Sequence, residues 1–159
     1  MNNNIDNSSK NNNTLHTIES IKRYLKKNIE NKSYGFNIFK NAQMKKFENG
    51  YVEVELIIKK EFTNEKQFAH GGFLAFLLDS FASVCYISTL ELSNLNFGVT
   101  VNMNVSYIST AKINEKITVI STIEKNTNFL VFANSKIIKE DGSLVAMANV
   151  IFKVPKSNY

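Results

Sequence analysis

The chain has 159 residues, 43% of them hydrophobic and 21% charged, with a formal net charge of +5, which suits one globular domain with a buried core. One cysteine, Cys85, and two histidines, His16 and His70, exclude an internal disulfide, a CxxC metal site and a His-rich metal centre, so neither metal nor cofactor is expected. The basic excess is dispersed Lys with one Arg, Arg23. Without zinc-finger spacing or another nucleic-acid signature it reads as a solvated surface, and no nucleic-acid partner is expected.

Residues 1–14 hold seven Asn and no apolar run, so they read as a disordered tail rather than a secretory signal. Residues 15–159 read as the folded domain. Leu15, Ile18, Ile21, Leu25 and Ile29 recur at spacings of three and four, which predicts an amphipathic helix to about Asn31. After Gly35 two strands are expected. The first starts at Phe36-Asn37-Ile38-Phe39 and runs towards Lys46, the second covers Tyr51 to Ile58, and Asn49-Gly50 makes the hairpin turn between them.

A polar loop, Phe62 to Ala69, leads into an apolar segment from Phe73 to Leu92. Asp79, Ser80, Ser83, Ser88, Thr89 and Glu91 interrupt it, so it is a long central helix and not a membrane span, which needs about 20 apolar residues in a row. Val99, Val101, Met103, Val105 and Tyr107 then alternate with Thr100, Asn102, Asn104 and Ser106, the period of a half-buried strand with Thr100 on its polar face. Ile117–Ile123, Phe129–Ile138 and Leu144–Val154 supply three more strands, separated by Asn126-Thr127-Asn128 and Asp141-Gly142. Consecutive strands on short turns predict an α+β fold, an antiparallel sheet of about six strands wrapped around one long helix.

The chemistry-bearing stretch is His70-Gly71-Gly72 followed by Asp79. A glycine pair at a helix start lets the backbone approach a ligand where free N–H groups and the helix dipole favour negative charge. Taken alone, the pair is also ordinary turn chemistry. A carboxylate within an apolar helix is costly unless it is partnered or used. Together the two features point to an enzyme acting on a carbonyl. Cys85, among Val84, Tyr86 and Ile87, reads as a buried small hydrophobe rather than a nucleophile. Phe73, Phe76 and Phe81 fit either core packing or an acyl tunnel, and Lys112 reads as part of a solvated turn.

Asn64, six residues before His70, Asp79, nine after it, the long apolar helix and the strand Gly98 to Tyr107 form a combination that resembles the hotdog-fold acyl-CoA thioesterases. The branch is the phenylacetate type, which includes the small eukaryotic acyl-CoA thioesterases. The resemblance spans about Lys32 to Lys153. It implies hydrolysis of medium- or long-chain acyl-CoA to free acid and CoA, in fatty acid metabolism. Asp79 matches the general base or nucleophile, and Gly71 the residue whose N–H polarises the thioester carbonyl. Asn64 matches a loop residue that helps place the carbonyl or the attacking water, with His70 as the supporting histidine. Thr100 matches a hydroxyl residue, Ser in the relative compared, that orients the carboxylate or its water. The family turn Pro-Ala-Lys-x-Gly is replaced by Thr110-Ala111-Lys112-Ile113-Asn114, and Glu91 to Phe97 is longer than in that relative.

Positions 71 and 79 are eight residues apart, roughly 12 Å along a helix at 1.5 Å per residue. Two groups that far apart cannot act on one carbonyl from the same chain. Asp79 is therefore expected to complete the site of a second subunit, making a homodimer, which the resemblance extends to a dimer of dimers. The expected compartment is the cytoplasm, with mitochondria or another organelle as alternatives. The competing functions are a hotdog acyl-thioester dehydratase or hydratase, a non-catalytic acyl-CoA or lipid-binding dimer, and a scaffold recruited through the Asn-rich tail.

Overall fold

A computed structural model describes residue 30, residues 35–90 and residues 98–155. The Asn-rich tail, nearly all of the expected helix 15–31 and the segment 91–97 lie outside the described residues. In chain order the elements are α1 (Phe36–Asn41), β1 (Gln43–Glu48), β2 (Tyr51–Ile57), a 3-10 turn (Lys60–Phe62), α2 (Gly71–Ile87), β3 (Val99–Tyr107), β4 (Lys116–Asn126), β5 (Leu130–Lys139) and β6 (Leu144–Lys153). The six strands form one sheet in the order β1-β2-β4-β5-β6-β3, and every pairing is antiparallel. α2 packs across it against β2, β4, β5, β6 and β3, which is the α+β arrangement expected from the strand order.

The sheet is built by alternation. β2, β4 and β5 bury every second residue, and their inward side chains, among them Val52, Val54, Ile117, Val119, Val131 and Ile137, meet Leu77, Leu78 and Phe81 of α2. Burying a side chain of this size contributes about 1.5–3 kcal/mol. The buried hydroxyls of Ser121 and Ser135 satisfy one another across β4 and β5 at 2.8 Å, so two polar groups sit in the core without an orphan.

Two expectations are corrected. Residues 36–39 start a helix rather than a strand. Gly35 takes the left-handed conformation at φ 79°, and its carbonyl accepts from the N–H groups of Ile38 and Phe39 at 2.9 and 3.3 Å. The turn places the Phe39 ring against Phe76 and edge-on to Phe81, with centroids 6.2 and 5.7 Å apart. Packing on α2 thus overrides the β preference of an aromatic run. The strand that follows begins only at Gln43.

The central helix also stops earlier than the apolar pattern, at Ile87. Ser88 Oγ donates to the carbonyl of Cys85 at 2.6 Å and Thr89 Oγ1 to that of Tyr86 at 2.8 Å, so hydroxyls take over the acceptors of the last turn. The hairpin turn at Asn49-Gly50 is as expected, with Gly50 at φ 75°.

The two sheet edges differ. β1 carries Lys45 and Lys46, paired with Glu55 and Glu53 of β2 at 3.2 and 3.8 Å, and is bulged between Met44 and Lys46. Charges and a bulge blunt an edge against further pairing. β3 has nine residues without a charge or a proline, and Val99, Val101 and Tyr107 are more than half exposed.

Candidate active site

The residues singled out in the sequence fall into two groups. The first is Asp79 with Thr100. Asp79 lies on the partly open stripe of α2, near Ala75, Phe76, Ser80 and Ser83, so its carboxylate is half-buried rather than enclosed. Thr100 Oγ1 donates to Asp79 Oδ1 at 2.8 Å. The expectation that Thr100 lies on the polar face of β3 is corrected by a bulge. Thr100 pairs with Phe152 and Asn102 with Ile151, which leaves Val101 as the extra residue. Met103 pairs with Val150, Val105 with Ala148 and Tyr107 with Ala146, all buried partners, so these residues share the inner face. Without the bulge Thr100 would be out of phase with them; with it, Thr100 turns inward to Asp79.

The second group is the entrance to α2. His70 is the N-cap, and its Nδ1 accepts the Gly72 N–H at 3.0 Å. The Leu74 N–H donates to the His70 carbonyl at 3.1 Å. Among the described residues no intramolecular acceptor takes the Gly71 N–H, as is usual for the first donor of a helix. Phe62 stacks on Phe73 with centroids 4.4 Å apart, and the His70 N–H reaches the Phe62 carbonyl at 2.9 Å. Both contacts tie the loop before α2 to its first turn.

Asn64 organises that loop. Its Oδ1 accepts the N–H groups of Lys66 and Phe68 at 3.0 and 3.1 Å, an Asx-type turn continued through Gln67 at φ 63°. Both bonds use Oδ1, so any contact of Asn64 with a ligand falls to its Nδ2 amide. The turn at 111–113 braces the loop, because Ala69 donates to the Ala111 carbonyl at 2.8 Å and Ile113 to that of Gln67 at 2.9 Å.

The two groups stay apart within one chain. Thr100 stands near the start of β3 beside Asp79, whereas Tyr107, the last residue of β3, contacts Gly71. The contact of Tyr107 with Gly71 is one that alternation alone does not reveal. Phe73 and Phe81 belong to the core, as packing residues. The Cys85 Sγ–H donates to the Ser121 carbonyl at 3.3 Å, and burial pushes this thiol up to about 12, which suits a packing residue and not a nucleophile. Among the described residues no group of three His, Cys, Asp or Glu side chains is placed to hold a metal ion, and no helix is long and apolar enough to cross a membrane.

A sequence model of the thioesterase superfamily matches residues 66–146, just over half of the chain, and the chain belongs to that family. It is 34% identical over 93 residues to mouse acyl-coenzyme A thioesterase 13, a match covering 58% of this chain and 64% of that protein. The match thus spans just under two thirds of the mouse protein. The crystal structure of zebrafish thioesterase superfamily member 2 superposes with a TM-score of 0.77 at 22% identity, over 86% of this chain and 97% of that one. A hypothetical thioesterase from Streptococcus pneumoniae, solved with coenzyme A, superposes with a TM-score of 0.68 at 22% identity, over 73% of this chain and 87% of that one. The fold is the hotdog fold of these thioesterases.

Proposed function

We propose that this chain hydrolyses medium- or long-chain acyl-CoA to free acid and CoA. The observation that carries the reading is the Asp79 carboxylate held by Thr100, on a helix whose first N–H, that of Gly71, has no acceptor among the described residues. Family membership and the acyl-CoA name of the mouse relative support the substrate class. In the proposed reaction Asp79 takes a proton from a water whose oxygen attacks the thioester carbon. The carbonyl oxygen becomes an oxyanion against the Gly71 N–H, a donor of a kind worth about 10²–10³ in rate. The C–S bond then breaks, and the CoA thiolate leaves with the proton that Asp79 had taken. In the nucleophilic alternative Asp79 forms an acyl anhydride, CoA thiolate departs, and water attacks the Asp79 carbonyl carbon of the anhydride, releasing the free acid. Single turnover in isotopically labelled water marks the Asp79 carboxylate only on this second route. His70 shapes the helix entrance, and the Asn64 amide faces the carbonyl or the attacking water.

The reading includes a homodimer. β3 is the uncharged edge, and antiparallel pairing of β3 with its own copy about a two-fold axis brings its two ends together. Thr100 and Asp79 of one protomer then lie beside the partner's Tyr107 and the partner's Gly71. Each dimer holds two composite sites, which resolves the roughly 12 Å separation along α2. Two such dimers pair in the tetramer that the family resemblance implies. The unpaired thiol of Cys85 suits a reducing compartment, the cytoplasm in this reading.

The test is release of free thiol from a panel of acyl-CoAs differing in chain length. Asp79→Ala should abolish release while the thermal unfolding midpoint stays near wild type, because the position is half-buried and Ala is a strong helix former. Full activity in that variant removes Asp79 from the mechanism. Tight acyl-CoA binding without any release makes the chain a binding protein instead.

A further inference from the structure

We propose that Tyr107 is a positioning residue for the Gly71 N–H, an inference that rests on the thioesterase reading above. Tyr107 Oη donates to the Gly71 carbonyl at 3.2 Å. The Gly72 N–H donates to His70 Nδ1 at 3.0 Å. That carbonyl and that N–H belong to the same peptide unit, so two side chains from different elements hold the two ends of a single peptide plane. A glycine stands on each side of it. Neither residue has a Cβ to restrict its torsions, and an unheld Gly-Gly peptide would be the loosest in the first turn. Clamping it fixes the torsions at Gly71, and through them the direction of the Gly71 N–H in the preceding peptide.

The clamp has a rigid base. Tyr107 pairs with Ala146 on β6, which is fully buried, and the next two N–H groups, those of Ile108 and Ser109, both reach the Val145 carbonyl at 2.9 and 3.0 Å. The ring lies against Gly71, because a Cβ added there would sit 3.4 and 3.5 Å from Tyr107 Cε1 and Cζ. A separation of 3.2 Å is long for O–H···O, so the ring contact carries part of the positioning and the hydroxyl the rest. In the composite dimer this places Tyr107 with its own Gly71, opposite the carboxylate supplied by the partner subunit.

Tyr107→Phe in the full chain separates positioning from packing, since it keeps the ring and removes only the donor. The expected result is a kcat lowered about tenfold, a fraction of the 10²–10³ lost when such a donor is removed, with KM within about twofold of wild type. Amide hydrogen exchange should quicken at Gly72 and stay unchanged in β4 and β5. Tyr107→Leu, which also removes the ring contact, should lower kcat further. Wild-type kcat and unchanged Gly72 exchange in Tyr107→Phe overturn the positioning role alone. Exchange that rises uniformly across β3 and β6 overturns it in favour of packing. Absence of thiol release from the wild-type chain is a different failure, because it overturns the thioesterase reading and the role given to Tyr107 with it.

Discussion

Thr100 Oγ1 bonds Asp79 Oδ1 at 2.8 Å because the bulge at Val101, the next residue, shifts the phase of β3 between Thr100 and the rest of the strand. A hydroxyl on this strand and a carboxylate two turns into α2 therefore meet, although strict alternation would turn them apart. The bond occupies Asp79 Oδ1, and in the proposed reaction Oδ2 is the oxygen that takes the proton of the attacking water. Thr100→Val keeps the shape and removes the hydroxyl. It should lower kcat about tenfold and change stability by less than about 1.5 kcal/mol, the net worth of one hydrogen bond. Thr100→Ser should retain most of the rate. Steady-state kinetics with one acyl-CoA decides the matter, and equal rates for Val and Ser would remove the hydroxyl from the mechanism.

The proposed shared-site dimer makes a prediction by complementation. Gly71→Pro removes the proposed N–H donor at the first helical position, where proline is favoured, and His70 before it is already extended at φ −67°, ψ 137°, as a residue preceding proline must be. Gly71→Pro and Asp79→Ala should each be inactive alone. Refolded together in equal amounts, they should recover about a quarter of the wild-type rate, since half of the dimers are mixed and each restores one of its two sites. No recovery despite mixed dimers would place both groups in one protomer's site.

Cys85 makes alkaline stability fall. Burial pushes its thiol up from 9.0 to about 12, so the folded chain holds this proton more tightly than the unfolded chain does. The stabilisation is complete below the unfolded value and is lost as pH rises towards the folded one. Urea unfolding midpoints should decline between pH 9 and about 12, and Cys85→Ala should flatten that part of the decline. An identical slope in both proteins would show that other groups cause it.

Gly35 joins two constraints. Its φ is 79°, and a Cβ there would overlap the Phe76 ring. Gly35→Ala should destabilise by about 1–3 kcal/mol from backbone strain alone, with more from displacement of Phe76 on α2. Thermal unfolding reads the loss, and a variant as stable as wild type would mean that α1 repacks freely.

Alternation over β2, β4, β5 and β6 and the apolar run after Gly72 were sufficient for these strands, the central helix and the α+β class, because both periods are local properties of the chain. Asp79 and the glycines at 71 and 72 stood out as candidates because a carboxylate in an apolar helix and glycines at its start conflict with simple packing, whereas His70 and Asn64 were singled out through the family resemblance. The eight-residue spacing raised the expectation of a second subunit, on the premise that both groups act on one thioester, and it is carried into the proposed dimer. Other features depended on contacts between segments distant in sequence. Phe36 to Phe39 became helical because Phe39 packs on Phe76 and Phe81. Thr100 turned inward through a bulge that shows only in the register of β3 against β6. Tyr107 reached Gly71, 36 residues away, because sheet order sets the end of β3 beside the first turn of α2. Periodicity records which residues face the core. Which side chains meet there depends on register and bulges, and these are decided only when the strands pair.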